Sequence, residues 1–127
     1  MNLCADMAIE HLVAHAKAGA DLLEARDPWA ERLAPDEYER FVLPSTKRLF
    51  AGLHGTGAAT LYSAQGTSHL SAQMCLAGAD VVGVDWRVPL EDMHARFPLQ
   101  RLAGNLDPTL LLAPEGLLRQ ETRWMLE

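Results

Sequence analysis

The chain has 127 residues, 49% of them hydrophobic and 22% charged, with a net charge of -6. That length suffices for one domain around one core. The charge balance speaks against nucleic acid or an anionic membrane surface as partner, because both need a basic face and the 11 Lys and Arg residues are dispersed.

Cys4 and Cys75 lack metal-ligand spacing, and the sequence shows neither a signal peptide nor an apolar run of ~20 residues. A cytoplasmic chain without a membrane span is the expectation.

A helical pattern runs from Leu3 to Lys17 with Ile9, Leu12, Val13 and Ala16 on one face, and Gly19 stops it. A strand is expected through Leu22 and Leu23 toward Asp27, closed by Pro28-Trp29. Pro35, Asp36 and Glu37 open a second helix, with Tyr38, Phe41, Val42, Leu49, Phe50 and Leu53 inward. Pro44 falls inside that pattern. It lacks a backbone donor and crowds the preceding turn, which predicts a kink or two helices in series.

Gly55 to Gly57 form a turn before a short strand at Thr60, Leu61 and Tyr62, which ends on Ser63-Ala64-Gln65-Gly66. Thr67 or Ser68 is expected to cap a helix from His69 to Leu76. The apolar run Val81, Val82, Val84 then reads as a buried parallel strand ending on Asp85-Trp86-Arg87. A short helix follows from Pro89 to Phe97, with Leu90, Met93 and Phe97 on one side. A fourth strand covers Arg101 to Gly104 and ends on Asn105-Leu106-Asp107-Pro108. Pro114 and Glu115 open a last helix whose apolar positions are Leu117, Leu118, Met125 and Leu126.

The tetrapeptide AGAD occurs at Ala18 to Asp21 and again at Ala77 to Asp80, each time between a helix and a strand. The offset of 59 residues, 77 minus 18, is about two strand-helix units of ~30 residues each. The fold class is therefore α/β: four consecutive strand-helix units of a TIM-type (β/α)8 barrel, a partial barrel with parallel strands in a single partial domain, 1-127. Such a piece leaves two unpaired edges and an apolar interior open, so an isolated copy is expected to associate rather than to behave as a clean monomer.

Polar groups gather at the C-terminal ends of the four strands, the end where barrels carry their chemistry. The candidate substrate-binding residues are Arg26, Asp27, Asp85, Arg87, Asn105 and Asp107. Each also has a structural reading. Asp85 either faces a ligand or accepts loop hydrogen bonds with Trp86 packed beneath, and the general pairing of buried polar groups favours the second. Asn105 and Asp107 resemble a turn and a cap. Arg87 is either a phosphate- or carboxylate-facing group or half of a surface ion pair.

No catalytic residue and no metal ligand stands out. His11 and His15 have helical i,i+4 spacing, but Leu12 stands where a zinc-protease helix carries glutamate. Gly55-Thr56-Gly57 is too short for a phosphate loop, and Ser63 lacks the glycines of a nucleophile elbow.

The segments GADLLEARDPWAERLAP, EYERFVLP, GADVVGVDWRVPL and GNLDPTLLLAP, in this order and spacing, resemble the second half of the uroporphyrinogen decarboxylase family over nearly the whole chain. The resemblance implies a cofactor-free barrel enzyme, usually a cytoplasmic homodimer. It removes four acetate carboxyl groups from uroporphyrinogen III, a tetrapyrrole, to give coproporphyrinogen III for haem synthesis. A protonated pyrrole accepts the electrons left by departing carbon dioxide. The protein then has to stabilise a cationic ring and hold many carboxylates.

The resemblance further implies that an arginine-rich arm, an aspartate at the pyrrole nitrogens and a tyrosine come from sequence before Met1, and a histidine from sequence after Glu127. One family serine belongs inside the chain, in a segment that usually reads FDSWAG. Here the segment is Arg26-Asp27-Pro28-Trp29-Ala30-Glu31, so Pro28 removes the hydroxyl and even the backbone donor.

A fragment not active alone is thus the first functional expectation. A catalytically dead remnant or interaction module of the same fold is the alternative. A zinc-dependent corrinoid or coenzyme M methyltransferase relative ranks below both, because its His-x-Cys pair is missing from Leu61-Tyr62-Ser63-Ala64-Gln65.

Overall fold

Strands form in this chain where glycines release it from the preceding helix. Gly19 and Gly78, the glycines of the two AGAD segments, both take positive φ, 102° and 92°, a backbone region that other residues rarely adopt. The computed structural model describes residues 1–126. Its elements are α1 (Asn2–Lys17), β1 (Leu22–Arg26), α2 (Pro35–Glu37), α3 (Leu43–Leu53), β2 (Ala59–Ser63), α4 (Ser71–Cys75), β3 (Val81–Gly83), α5 (Leu90–Arg96), β4 (Arg101–Ala103) and α6 (Glu115–Leu126). Short 3-10 turns at Ala30–Arg32, Ser68–Leu70 and Pro108–Leu112 join them.

The four strands pair in the order β1-β2-β3-β4, all parallel. With alternating helices this is the partial barrel expected from the sequence. Side chains of successive strand residues point to opposite faces. One face carries the row Ala25, Tyr62, Val82, Leu102, fixed by the register and packed against helices. The other carries Glu24, Leu61, Val81 and Arg101 in one row and Arg26 beside Ser63 in the next, and no helix layer covers it.

The covered face holds the core. Tyr38, Leu43, Phe50 and Leu53 descend on Leu23 and Tyr62, while Leu70, Met74 and Ala77 close over Val82. Each large side chain fully buried in this way contributes about 1.5–3 kcal/mol. Met93 anchors α5 and is itself buried.

The helix from Pro35 to Leu53 resolves the difficulty of Pro44 without a break. Tyr38–Val42 is a π turn, in which the Leu43 N–H reaches back five residues to the Tyr38 carbonyl. A widened turn immediately before a proline relieves the crowding of its ring against the preceding carbonyls. Glu37 accepts from the Ala34 N–H and caps the start of this run.

Four sequence expectations need correction. Phe41 is 54% exposed, because the π turn rotates it off the inward stripe. Leu117 and Leu126 are exposed on α6, and of its four expected apolar positions Leu118 and Met125 are half-buried. Thr67 stands at the start of the Ser68–Leu70 turn but does not cap it by accepting a bond. Its hydroxyl donates to the Ala64 carbonyl, while the Leu70 N–H takes the Thr67 carbonyl in 3-10 fashion. Trp86 does not pack beneath its loop; it is 41% exposed and lies under the Arg87 guanidinium.

Candidate functional site

The C-terminal ends of the strands enclose one open cleft of about 420 Å³. Arg26, Ser63, Gln65, Asp85, Trp86 and Asn105 reach it from the strand ends, and Leu61, Gly83 and Met125 supply apolar floor and wall. Three of the six expected site residues, Arg26, Asp85 and Asn105, therefore meet around a single space. The other three, Asp27, Arg87 and Asp107, do not border it.

Arg26 ends β1 on the uncovered face. Its Nε donates to Ser63 Oγ at 3.3 Å and its Nη2 to Glu24 Oε1 at 3.0 Å. Ser63 in turn donates to the same Glu24 oxygen at 2.6 Å. These bonds, the serine hydroxyl first and the guanidinium second, hold the Glu24 carboxyl below its usual range.

Asp27 turns away to shape the loop, with Oδ1 accepting from the Trp29 and Ala30 N–H groups at 3.0 and 3.1 Å. Pro28 follows it, exposed and without a donor to offer a ligand.

Asp85 is the buried acid of the site, its side chain 1% exposed. One oxygen accepts from the Arg87 N–H and the other from the Gly66 N–H, while Arg87 Nη1 bridges both at 3.1 Å. The carboxylate thus ties the β2 and β3 loops together, as the structural reading expected, and Arg87 completes the tie. Asn105 donates through Nδ2 to the Val88 carbonyl, joining the β3 and β4 loops. Asp107 accepts from the Thr109 N–H at 2.9 Å and caps the turn that follows.

A larger depression of about 1270 Å³ runs along the open edge of β4 between α5 and α6. It is bordered by Leu90, Leu99, Leu102, Trp124 and Met125, with Asn105 and Asp107 at one end, and contains neither Arg26 nor Asp85. No group of three metal-ligating side chains occurs among the described residues, and no described helix is long and apolar enough to cross a membrane.

Glu24 and Met125 do not stand out in the sequence as site residues, and Ser63 and Gln65 stand out only as a polar strand end. The alternation of a strand does carry the signal for Glu24, since residues two apart share a face and Glu24 must accompany Arg26. The partnership of Ser63 with Arg26 becomes visible only once the register sets the two opposite each other.

A protein-family model for uroporphyrinogen decarboxylase matches residues 1–127. The chain is 41% identical to a uroporphyrinogen decarboxylase of Thermus thermophilus over 117 residues, covering 92% of this chain and 34% of that protein. It is 41% identical to that of Rhodococcus opacus over 124 residues, covering 97% and 35%. It is 36% identical to that of Citrifermentans bemidjiense over 127 residues, covering 100% and 38%. The chain thus spans little more than a third of the length of these relatives, 34–38%.

Proposed function

We propose, since the chain belongs to the uroporphyrinogen decarboxylase family, that its 127 residues form one partial domain of an enzyme converting uroporphyrinogen III to coproporphyrinogen III. One observation carries this: Arg26, Ser63, Gln65, Asp85 and Asn105 converge on a single cleft at the C-terminal ends of parallel strands. That is where a barrel presents groups to its substrate. Decarboxylation of acetate side chains on a ring that holds the electrons itself asks the protein for donors to carboxylates more than for a nucleophile.

In this reading Arg26 faces a substrate carboxylate and replaces the donor that Pro28 lacks. Asn105 and Asp85 border the substrate while holding their loops. Asp27, Arg87 and Asp107 serve it indirectly through the loops and turns they fix. The functional unit is a cytoplasmic homodimer, and the chain alone is not active.

The mass of the native polypeptide, captured by an antibody to this chain and measured by mass spectrometry, tests the proposal. A product about three times the size of this 14.0 kDa chain supports it. In that complete barrel, Arg26→Ala should weaken substrate affinity, and unchanged affinity removes Arg26 from the site.

Pro28 favours a second reading, in which a product of 14.0 kDa is a non-catalytic remnant or interaction module.

A further inference from the structure

The uncovered end of β1 and β2 holds a closed ring of three side chains that no backbone group shares. Glu24 Oε1 accepts from Arg26 Nη2 at 3.0 Å and from Ser63 Oγ at 2.6 Å, while Ser63 Oγ accepts from Arg26 Nε at 3.3 Å. A serine hydroxyl has one proton. Once that proton is committed to the glutamate, the oxygen lone pairs are left to face the arginine. The donor and acceptor directions are therefore consistent around the whole ring.

The ring occupies only one edge of the guanidinium, the edge formed by Nε and Nη2. Nη1 has no partner among the described residues, and the end-on fork of Nη1 with the second Nη2 hydrogen stays free. Arg26 borders the cleft with its side chain 62% exposed. Gly83 lies directly across from Ser63, and a Cβ there would come within 3.0 Å of the serine Cβ. A bare backbone at this position leaves room around the ring. All three side chains sit on paired strands, Arg26 directly opposite Ser63, so the ring is held by the sheet rather than by a mobile loop.

We propose that Glu24 and Ser63 are positioning residues that hold Arg26 as an end-on receptor for one carboxylate of a polycarboxylate substrate. This rests on the function proposed above and adds to it how the chain makes a carboxylate site at a strand end where Pro28 offers nothing. A planar guanidinium with one edge fixed loses less freedom on binding a carboxylate bidentately than a free one does.

The alternative is that Glu24 only neutralises Arg26, and the two readings differ in sign. If Arg26 acts as a point charge, Glu24→Leu removes a competing anion and tightens binding. If Glu24 aims the fork, the same change weakens binding although the cleft becomes more positive.

The experiment titrates benzene-1,3,5-tricarboxylate into the complete barrel that contains this chain and follows the Arg26 Nε–H resonance by NMR, then repeats it with Glu24→Leu, Ser63→Ala and Arg26→Lys. In parallel, uroporphyrin, a stable oxidised tetrapyrrole, is titrated by absorbance. The expected result is a saturable shift of the Arg26 resonance in the parent protein. Affinity for the tricarboxylate should fall about fivefold or more in Glu24→Leu and in Ser63→Ala, and further in Arg26→Lys, which keeps the charge but has no fork.

Tighter or unchanged binding by Glu24→Leu overturns the proposal, as does an Arg26 resonance that does not respond in the parent protein. If the tricarboxylate behaves as expected and the tetrapyrrole does not bind, the positioning role stands and the decarboxylase reading falls. If the tetrapyrrole binds equally to parent and variants, the positioning role falls and the decarboxylase reading stands.

Discussion

The hydroxyls of Tyr38 and Tyr62 meet at 2.6 Å, and both residues are buried. Tyr38 opens the π turn that accommodates Pro44, and Tyr62 lies on β2, so the bond pins the second helical run to the sheet. The Phe50 ring tilts against Tyr62 with centroids 5.5 Å apart. A polar pair inside an apolar cluster is tolerable because the two hydroxyls are hydrogen-bonded to each other.

This pair predicts how the protein responds to alkali. Burial, followed by the neighbouring phenol, pushes the Tyr62 hydroxyl far above its usual value of 10.0, and burial raises Tyr38 as well. A raised pKa means that the folded state keeps protons the unfolded state gives up. The stabilisation is complete below pH ~10 and is lost as the pH climbs above it. The chain has only these two tyrosines. Tyrosinate absorbance should therefore appear together with loss of circular dichroism, in one transition. Absorbance rising near pH 10 in a still-folded protein would contradict the buried pair.

Much of this was legible in the sequence, and the parts that were not have local causes. The strand-helix order followed from glycines and apolar runs, and the four strands lie close to where the pattern of Leu22-Leu23, Leu61-Tyr62, Val81-Val82 and Arg101 to Gly104 set them. Phe41 misled because a helical period of 3.6 fails across a π turn. Trp86 misled because a large apolar residue after a buried strand reads as core, whereas a cation on its face lets it stay at the surface. Half of the candidate site was legible because polar residues at strand ends stand out against apolar strands. The Glu24–Ser63–Arg26 ring was not, because it depends on register, and register is a relation between distant segments.

Gly52 on α3 packs directly against Ile9 of α1. A Cβ built there would sit 2.6 Å from Ile9 Cδ1, a distance at which either the Ile9 side chain or one of the two helices has to shift. Alanine in place of glycine favours an isolated helix by about 1 kcal/mol. Overpacking at a helix contact costs about 1–3 kcal/mol and should outweigh that gain. Gly52→Ala is thus expected to lower the urea midpoint, and Ile9→Ala in the same chain to restore part of it. A more stable single variant would show that the helices are loosely apposed.

Asp80, the last residue of the second AGAD segment, closes β2 to the loop before β3. Its Oδ2 accepts from the Thr60 N–H and hydroxyl, both at 2.8 Å, and its own N–H donates to the Thr60 hydroxyl oxygen at 2.9 Å. The Thr60 backbone donor, then its hydroxyl, lowers the Asp80 pKa from its usual 3.8. A lowered pKa stabilises the fold above the ordinary carboxylate range and is lost as the pH falls through the folded value. The melting temperature should accordingly drop on acidification below pH ~4, with less of that drop in Asp80→Asn. Parallel acid profiles for the two chains would remove Asp80 from the acid response.

Asp85 and Arg87 form an ion pair whose halves are unequal. The Asp85 side chain is 1% exposed and that of Arg87 52%. Both aspartate oxygens receive only donors, from the Gly66 N–H on one side, the Arg87 N–H on the other and Arg87 Nη1 across both. An asparagine at this position has to turn its NH2 toward one of those donors whichever way it flips. Asp85→Asn is therefore expected to cost about 2–3 kcal/mol, the range for a lost charged hydrogen bond and an unsatisfied buried donor. Arg87→Ala removes only the half-exposed partner and leaves both backbone bonds to Asp85 in place, so it should cost under ~1 kcal/mol. Urea unfolding of the two variants, followed by circular dichroism, measures the ratio. Equal losses would mean that the guanidinium, and not the two backbone donors, holds the β2 and β3 loops at the rim of the cleft.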